Sequence, residues 1–445
     1  MRRLLNRFPE GTTAIGVGLL IGGLAAYAFI TISSRDLGAE QYSPVAMLWA
    51  LSFLLGPGFF LPLEQETARV VASRGSQGLG SAPVVRMAAI MGLGLALLLA
   101  LTSILAAPWA IDAIFDGNAL LFIGLLVVVF GLGASHLAKG VLAGLGRFPA
   151  YGRYLVGEGG GRLLLVFAVI FLSDSVGPYG LAIGLAPFVG LLVALAGQKK
   201  LLEPGPPAHL GDLSRALGSL MAASVAMALL INVSPLAVKL LADDTQAGEP
   251  GRFLNALLIA RIPLFFFQAI QASLLPELSR LAGIGDHGEL WRVLRRLLRL
   301  LTMLSLVAVV AAAFLGPLAV EVAFGSGFAV DARDMVLLTA SSGLLMIAGS
   351  LAQALIACQS QGSVAVSWVA GVAVFPLAIL VGDDLFFRVE FGLLAAVASS
   401  AVVMGSSFAA GCGNWVSGTD RVRRPELPPP EVADTFLDWS WAEIR

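Results

Sequence analysis

The residues of this chain that could do chemistry are charges and amides set inside long apolar runs. Arg261 is one, with Gln268 and Gln271 seven and ten positions on, a spacing that puts all three on one face of a helix. The neighbouring Phe265, Phe266 and Phe267 read as lipid-facing. Arg261 lies roughly 12 Å into its run at 1.5 Å per residue. From that depth it either lines a cavity or makes a structural interhelix pair. Asn232, Pro235 and Lys239 recur at i, i+3 and i+7. Pro235 should kink its helix and free the Ile231 carbonyl, since it has no N–H to give it. Lys239, near a helix end, is either a site residue or snorkels to the headgroups. Glu158 and Arg162 are an i, i+4 pair, either self-satisfied or a substrate contact. Tyr27, Thr31 and Arg35 form a polar face at the end of the first run. Ionisable groups in lipid are costly, so these must face a cavity or one another. Arg groups bind phosphate oxygens bidentately. The chemistry expected is therefore recognition of an anion, such as a phosphate- or pyrophosphate-linked lipid, rather than of a cationic drug.

No catalytic constellation accompanies them, and neither an enzyme nor a cofactor is expected. Of His136, His209 and His287, only His136 lies in a span, with no acidic neighbour in sequence, and it reads as a satisfied core histidine. Cys358 and Cys412 read as buried free thiols, too few for a metal or disulfide framework. The glycine-rich Gly157–Arg162 follows no strand, so it is not a phosphate loop. Asp243–Asp244 and Asp383–Asp384 read as solvated loop charge. The first apolar run contains no acidic residue that would suggest ion coupling there.

The elements that must position these residues are membrane helices. The chain has 445 residues, 58% hydrophobic and 13% charged, with a mean hydropathy of +0.87. Soluble domains carry about 25% charged residues. That excludes a cytosolic enzyme, a disordered chain and a secreted disulfide scaffold. Apolar runs predict an all-α polytopic protein with twelve transmembrane helices near 11–34, 42–63, 87–108, 119–139, 153–173, 178–197, 214–241, 253–275, 298–322, 334–356, 364–382 and 390–413. Most of the 28 Lys and Arg residues fall on one side of these spans, and Arg35, Arg252, Arg333 and Arg388 fall on the other. The positive-inside rule makes both termini cytoplasmic. Asp286–Arg299 reads as a basic amphipathic segment entering the ninth helix and lying at the lipid surface, and the tail from Asn414, with Trp439 and Trp441, as loose.

An internal repeat links the halves. Tyr42 to Arg69 and Phe253 to Arg280 each run from an aromatic residue through an apolar helix to Glu-x-x-Arg, namely Glu66/Arg69 and Glu277/Arg280. Leu137–Ala143 matches Leu351–Ala357. The offsets imply two parallel six-helix lobes around a central cavity: an N-terminal lobe over 1–197, a linker over 198–213, a C-terminal lobe over 214–413 and a cytoplasmic tail over 414–445. Transporters built this way place the substrate between the halves and rock them.

The sequence resembles the multidrug/oligosaccharidyl-lipid/polysaccharide exporter superfamily, especially its O-antigen-type polysaccharide flippases. The resemblance rests on Leu37–Tyr42, Glu66/Arg69, Gly144–Arg147, Glu158/Arg162, Asn232 and the stretch from Gly251–Phe253 to Leu275–Arg280. It implies two lobes around a V-shaped cavity in the bacterial cytoplasmic membrane. It also implies transfer of a polyprenyl-(pyro)phosphate-linked glycan to the outer leaflet, with Arg162, Lys239 and Arg261 in reach of the pyrophosphate. The partners implied are the lipid-linked glycan, membrane lipids and a polysaccharide polymerase or glycosyltransferases; no nucleic acid is expected. An ion-coupled small-molecule exporter is the alternative, and a non-transporting anchor of a polysaccharide-assembly complex is a third reading.

Overall fold

The computed structural model describes residues 12–208 and 210–416. Arg2, Arg3, Arg7, His209 and the tail tryptophans lie outside them. Among the described residues ten helices are long and apolar enough to cross a membrane. The first, Thr13–Ser76, is 64 residues long and bends at Gly38, where φ is 69°. It therefore makes two passes, α1 (12–37) and α2 (39–76). The connector expected between them is absent, because a positive-φ glycine reverses the chain within a residue or two.

The next helices are α3 Ala82–Leu105, α4 Ala119–Gly144, α5 Phe148–Leu172, α6 Gly177–Leu195 and α7 Leu210–Leu241. The pass α8 has two arms, Glu249–Ala260 and Ile262–Gly283, joined at Arg261. Then come α9 His287–Phe324, α10 Ala332–Ala357, α11 Gln361–Ala378 and α12 Leu385–Val416. With the bend at Gly38 and the two-armed α8 counted, the described residues make twelve passes.

Two helices depart from the sequence reading. α7 begins at Leu210, inside the expected linker. α9 absorbs the basic segment: its 38 residues span about 57 Å, against about 30 Å of hydrocarbon. The Asp286 side chain caps it by accepting from the Glu289 N–H at 2.9 Å. Leu290 and Leu294 are buried, and Trp291 stacks on Phe408 of α12 at 5.7 Å. The segment packs against protein because its apolar face has one to meet. Phe267, expected to face lipid, is 2% exposed and clusters with Leu301 and Met346.

The repeat is visible in packing. α1 lies on α5, α2 on α4, α4 on α6 and α5 on α6. The same pairs recur six helices on, α7 with α11, α8 with α10, α10 with α12 and α11 with α12. Small residues set the closest approaches. A Cβ on Gly152 of α5 would stand 2.5 Å from the Ala14 carbonyl of α1. Gly152→Ala should therefore push α1 from α5 and lower the thermal midpoint in detergent, at an overpacking cost of about 1–3 kcal/mol. Gly16→Ala, where no atom lies within 4 Å of the new methyl, should leave that midpoint unchanged or raised.

Candidate functional site

Three prolines decide where the lobes meet. In α2 the turn Gly56–Phe60 is a π-helix, a form that often marks functional sites. Pro57 has no N–H for the Phe53 carbonyl, and Asn232 of α7 donates its amide to that carbonyl at 3.2 Å. The Leu61 N–H is committed to the Gly56 carbonyl, and Pro62 has none to give Pro57. Ser224 of α7 donates its hydroxyl to the Pro57 carbonyl at 2.7 Å. In α7 itself Pro235 frees the Ile231 carbonyl, and Arg261 Nη2 donates to it. Arg261 is 9% exposed, and its Nε has no partner. The kink at Pro235 and the break in α8 are thus one feature, joined by a guanidinium.

Arg162 of α5 pairs with Glu158 at 2.7 Å. Its guanidinium carbon lies 5.0 Å from the centre of the Trp49 ring, and its Nε has no partner. Trp49 stacks on Phe29 of α1 at 5.5 Å and meets Phe53 at 5.1 Å. A cation thus sits on an aromatic shelf, one turn from the Phe53 carbonyl held by α7.

The charges nearer the helix ends close the face opposite the basic connections. Arg35 of α1 donates to the Val322 and Ala323 carbonyls at the end of α9, where the helix dipole favours a cation. Lys239 of α7 pairs with Asp116 of the other lobe. Tyr42 meets Phe328 edge-on at 5.7 Å. Tyr27 donates to the Leu258 carbonyl at 2.8 Å, tying α1 to the first arm of α8. Towards the basic face α1 packs on α5. On the other side of the molecule α2 and α7 stay together, with Leu63 and Leu217 in one cluster.

The candidate residues therefore divide. Arg162 stands on its shelf, and Asn232 and Arg261 hold proline-freed carbonyls. Arg35 and Lys239 stand at the opposite face. Glu66 and Arg69 pair at 2.6 Å near the basic face, where Arg280 is exposed at the end of α8. The side chains of Gln268, Gln271 and Glu277 lie outside the described residues. Sequence reasoning missed Asp116, a loop residue whose partner comes from the other lobe. It also missed the partner of His136, which is Glu64, 72 positions away.

No protein-family model matches the chain. It is 26% identical over 395 residues to uncharacterized proteins of Mycobacterium tuberculosis and Mycobacterium bovis, covering 85% of this chain and 88% of theirs. A further uncharacterized Mycobacterium tuberculosis protein is 25% identical over 403 residues, covering 87% and 90%. Among solved structures, an inward-facing multidrug resistance MATE family transporter of the MOP superfamily aligns with a TM-score of 0.69 at 14% identity, over 92% of this chain and 99% of that one. An outward-facing structure of the same description aligns at 0.59, again at 14% identity, over 92% and 96%. A MOP superfamily transporter from Pyrococcus furiosus also aligns at 0.59, with 15% identity, over 92% and 96%. At these identities the likeness is one of fold.

The Arg261 bond has a direct test. Pro235→Ala restores an N–H to the Ile231 carbonyl, so Arg261→Met should cost less stability in that background than alone. A double-mutant cycle by thermal unfolding is expected to give a coupling of about 1–2 kcal/mol; additive effects would mean the bond carries no weight.

Proposed function

We propose that this chain, which has the fold of MOP superfamily transporters, moves a polyprenyl-(pyro)phosphate-linked oligosaccharide across the bacterial cytoplasmic membrane by alternating access. The basic face is the cytoplasmic one, with both termini on it. The observation that carries the reading is the asymmetric seam between the lobes. It is shut by polar bonds at one face, whereas towards the other α1 packs within its own lobe, on α5. In this reading the lobes part towards the basic face, and a gap between neighbouring helices there admits a headgroup while its hydrocarbon chain stays in lipid. The better fit to an inward-facing than to an outward-facing relative supports the same polarity.

In this reading Arg162 is the phosphate contact. Its free Nε is a donor in a dry setting, and the aromatic shelf beneath it suits the apolar start of a polyprenyl chain or the face of a sugar. Asn232 and Arg261 border the path. Arg35 and Lys239 close its far end. A small-molecule exporter is the second reading, favoured by the relatives described as multidrug resistance transporters.

Cells lacking the chain should accumulate lipid-linked oligosaccharide on the cytoplasmic leaflet, read by accessibility in intact cells and inverted vesicles. Arg162→Ala should lower complementation at least tenfold with unchanged membrane insertion. Arg162→Lys should recover only part, because Lys cannot form the bidentate contact. Unchanged sidedness together with altered drug efflux would select the second reading.

A further inference from the structure

The long helix α9 changes character along its outward face. Met303, Val307, Val310, Phe314, Leu318 and Val322 are all exposed and follow one another at spacings of three or four. They form one apolar stripe on one side of the helix. Continued towards the start of α9 at the same spacing, the stripe runs through Arg299, Arg296, Arg295 and Arg292, again all exposed. The other side of these turns is packed on protein, with Leu290, Leu294 and Leu301 buried. The four arginines therefore stand in line with the residues that meet hydrocarbon, on the lipid side of the helix.

Their depth follows from the other end of α9. Arg35 donates to the Val322 and Ala323 carbonyls there, which marks the outer boundary of the hydrocarbon. Val322 and Arg299 are about 35 Å apart along the helix at 1.5 Å per residue. The hydrocarbon is about 30 Å thick, and the bilayer with its headgroup layers about 40–45 Å. Arg299, Arg296 and Arg295 thus fall in the phosphate layer of the leaflet at the basic face, and Arg292 at its edge. Glu289 is the carboxylate nearest in sequence, and it pairs with Arg292 at 2.6 Å. Among the described residues no carboxylate pairs with Arg295, Arg296 or Arg299. Arg295 lies 5.3 Å over the ring of Trp291, a residue type enriched at this level of a membrane.

We propose that Arg295, Arg296 and Arg299 form a binding surface for anionic phospholipid headgroups of the phosphatidylglycerol class. Clusters of basic residues next to a membrane helix attract such lipids electrostatically. Here the two halves of the ligand are matched by one helix face. The acyl chains lie along the stripe from Met303 onward, and the phosphate then arrives at the level of the guanidiniums, which can take it through two N–H bonds. A zwitterionic headgroup brings the same phosphate with an ammonium that the cluster repels. An anionic one brings the phosphate alone. Headgroups held here anchor the C-terminal lobe at a fixed depth in the leaflet. The surface lies on the outside of the molecule, apart from Arg162 and the seam, and it does not depend on what the chain transports.

The probe is phosphatidylglycerol with brominated chains, which quench a fluorophore they touch. Full-length protein with Cys358 and Cys412 changed to Ser would carry bimane at Leu300→Cys, exposed beside Arg299. A control label at Ile90→Cys is exposed on α3 of the other lobe, one turn from Arg86. Each protein is placed in phosphatidylcholine vesicles doped with brominated phosphatidylglycerol or brominated phosphatidylcholine. At about fivefold for each basic residue at the surface, the Leu300 label should favour phosphatidylglycerol at least tenfold. Arg295→Gln, Arg296→Gln and Arg299→Gln together should bring the two lipids within about twofold of each other. Lys at the same three positions should keep most of the preference, because the charge remains. Phosphatidylglycerol should also raise the thermal midpoint of the parent in neutral detergent and leave that of the triple Gln protein unmoved. A parent that does not discriminate, a triple Gln protein with an undiminished preference, or a preference no greater at Leu300 than at Ile90 overturns the proposal. Relief of the quenching by trace polyprenyl phosphate would assign the surface to an isoprenoid lipid and overturn the phospholipid as its occupant.

Discussion

Inside a bilayer no water is at hand to satisfy a carbonyl that loses its helical partner, and each orphan costs several kcal/mol. That constraint organises the middle of this molecule. Pro57, Pro62 and Pro235 each withhold an N–H, and each vacated carbonyl is filled by a side chain from a neighbouring helix. Asn232 and Ser224 reach from α7 to α2. Arg261 reaches from the break in α8 back to α7. The prolines thus do more than bend helices. They convert backbone acceptors into docking points, two of which lie across the seam between the lobes.

A seam held by such bonds is well suited to switching. Each is a single hydrogen bond of about 0.5–1.5 kcal/mol, strong enough to choose a register yet weak enough to exchange. The far face is held by Arg35 on the end of α9 and by Lys239 on Asp116. Within each lobe, glycines let helices approach closely, as α1 does on α5. The lobes meet along one apolar core that runs through both, and these polar bonds fix its register at chosen points.

The twelve passes were legible because continuous apolar runs and the bias of Lys and Arg are first-order consequences of the bilayer. So was the repeat, since matched segments at nearly the same offset reappear as matching packing partners six helices apart. The freed Ile231 carbonyl was legible from Pro235 alone. That Arg261 would fill it was not, because the contact depends on how α8 breaks and how closely it lies to α7. His136 reads as an isolated histidine for the same reason: Glu64 is distant in sequence and near only once α2 and α4 pack. The absent connector at Gly38 and the folding of Asp286–Arg299 into α9 show the limits of reading boundaries from polarity. A glycine with positive φ turns a chain without a loop, and an amphipathic segment extends a helix when its apolar face has protein to pack on.

The central claim is that the face closed by Arg35, Lys239 and Asp116 must open for the chain to work. Its most direct measurement places cysteines at Asp116 and Lys239 in a chain with Cys358 and Cys412 changed to Ser, and joins them with a short, reducible bis-thiosulfonate linker in cells that depend on the chain. The account predicts that clearance of lipid-linked oligosaccharide from the cytoplasmic leaflet stops when the linker forms and resumes on reduction. Clearance that continues with the linker in place would contradict it.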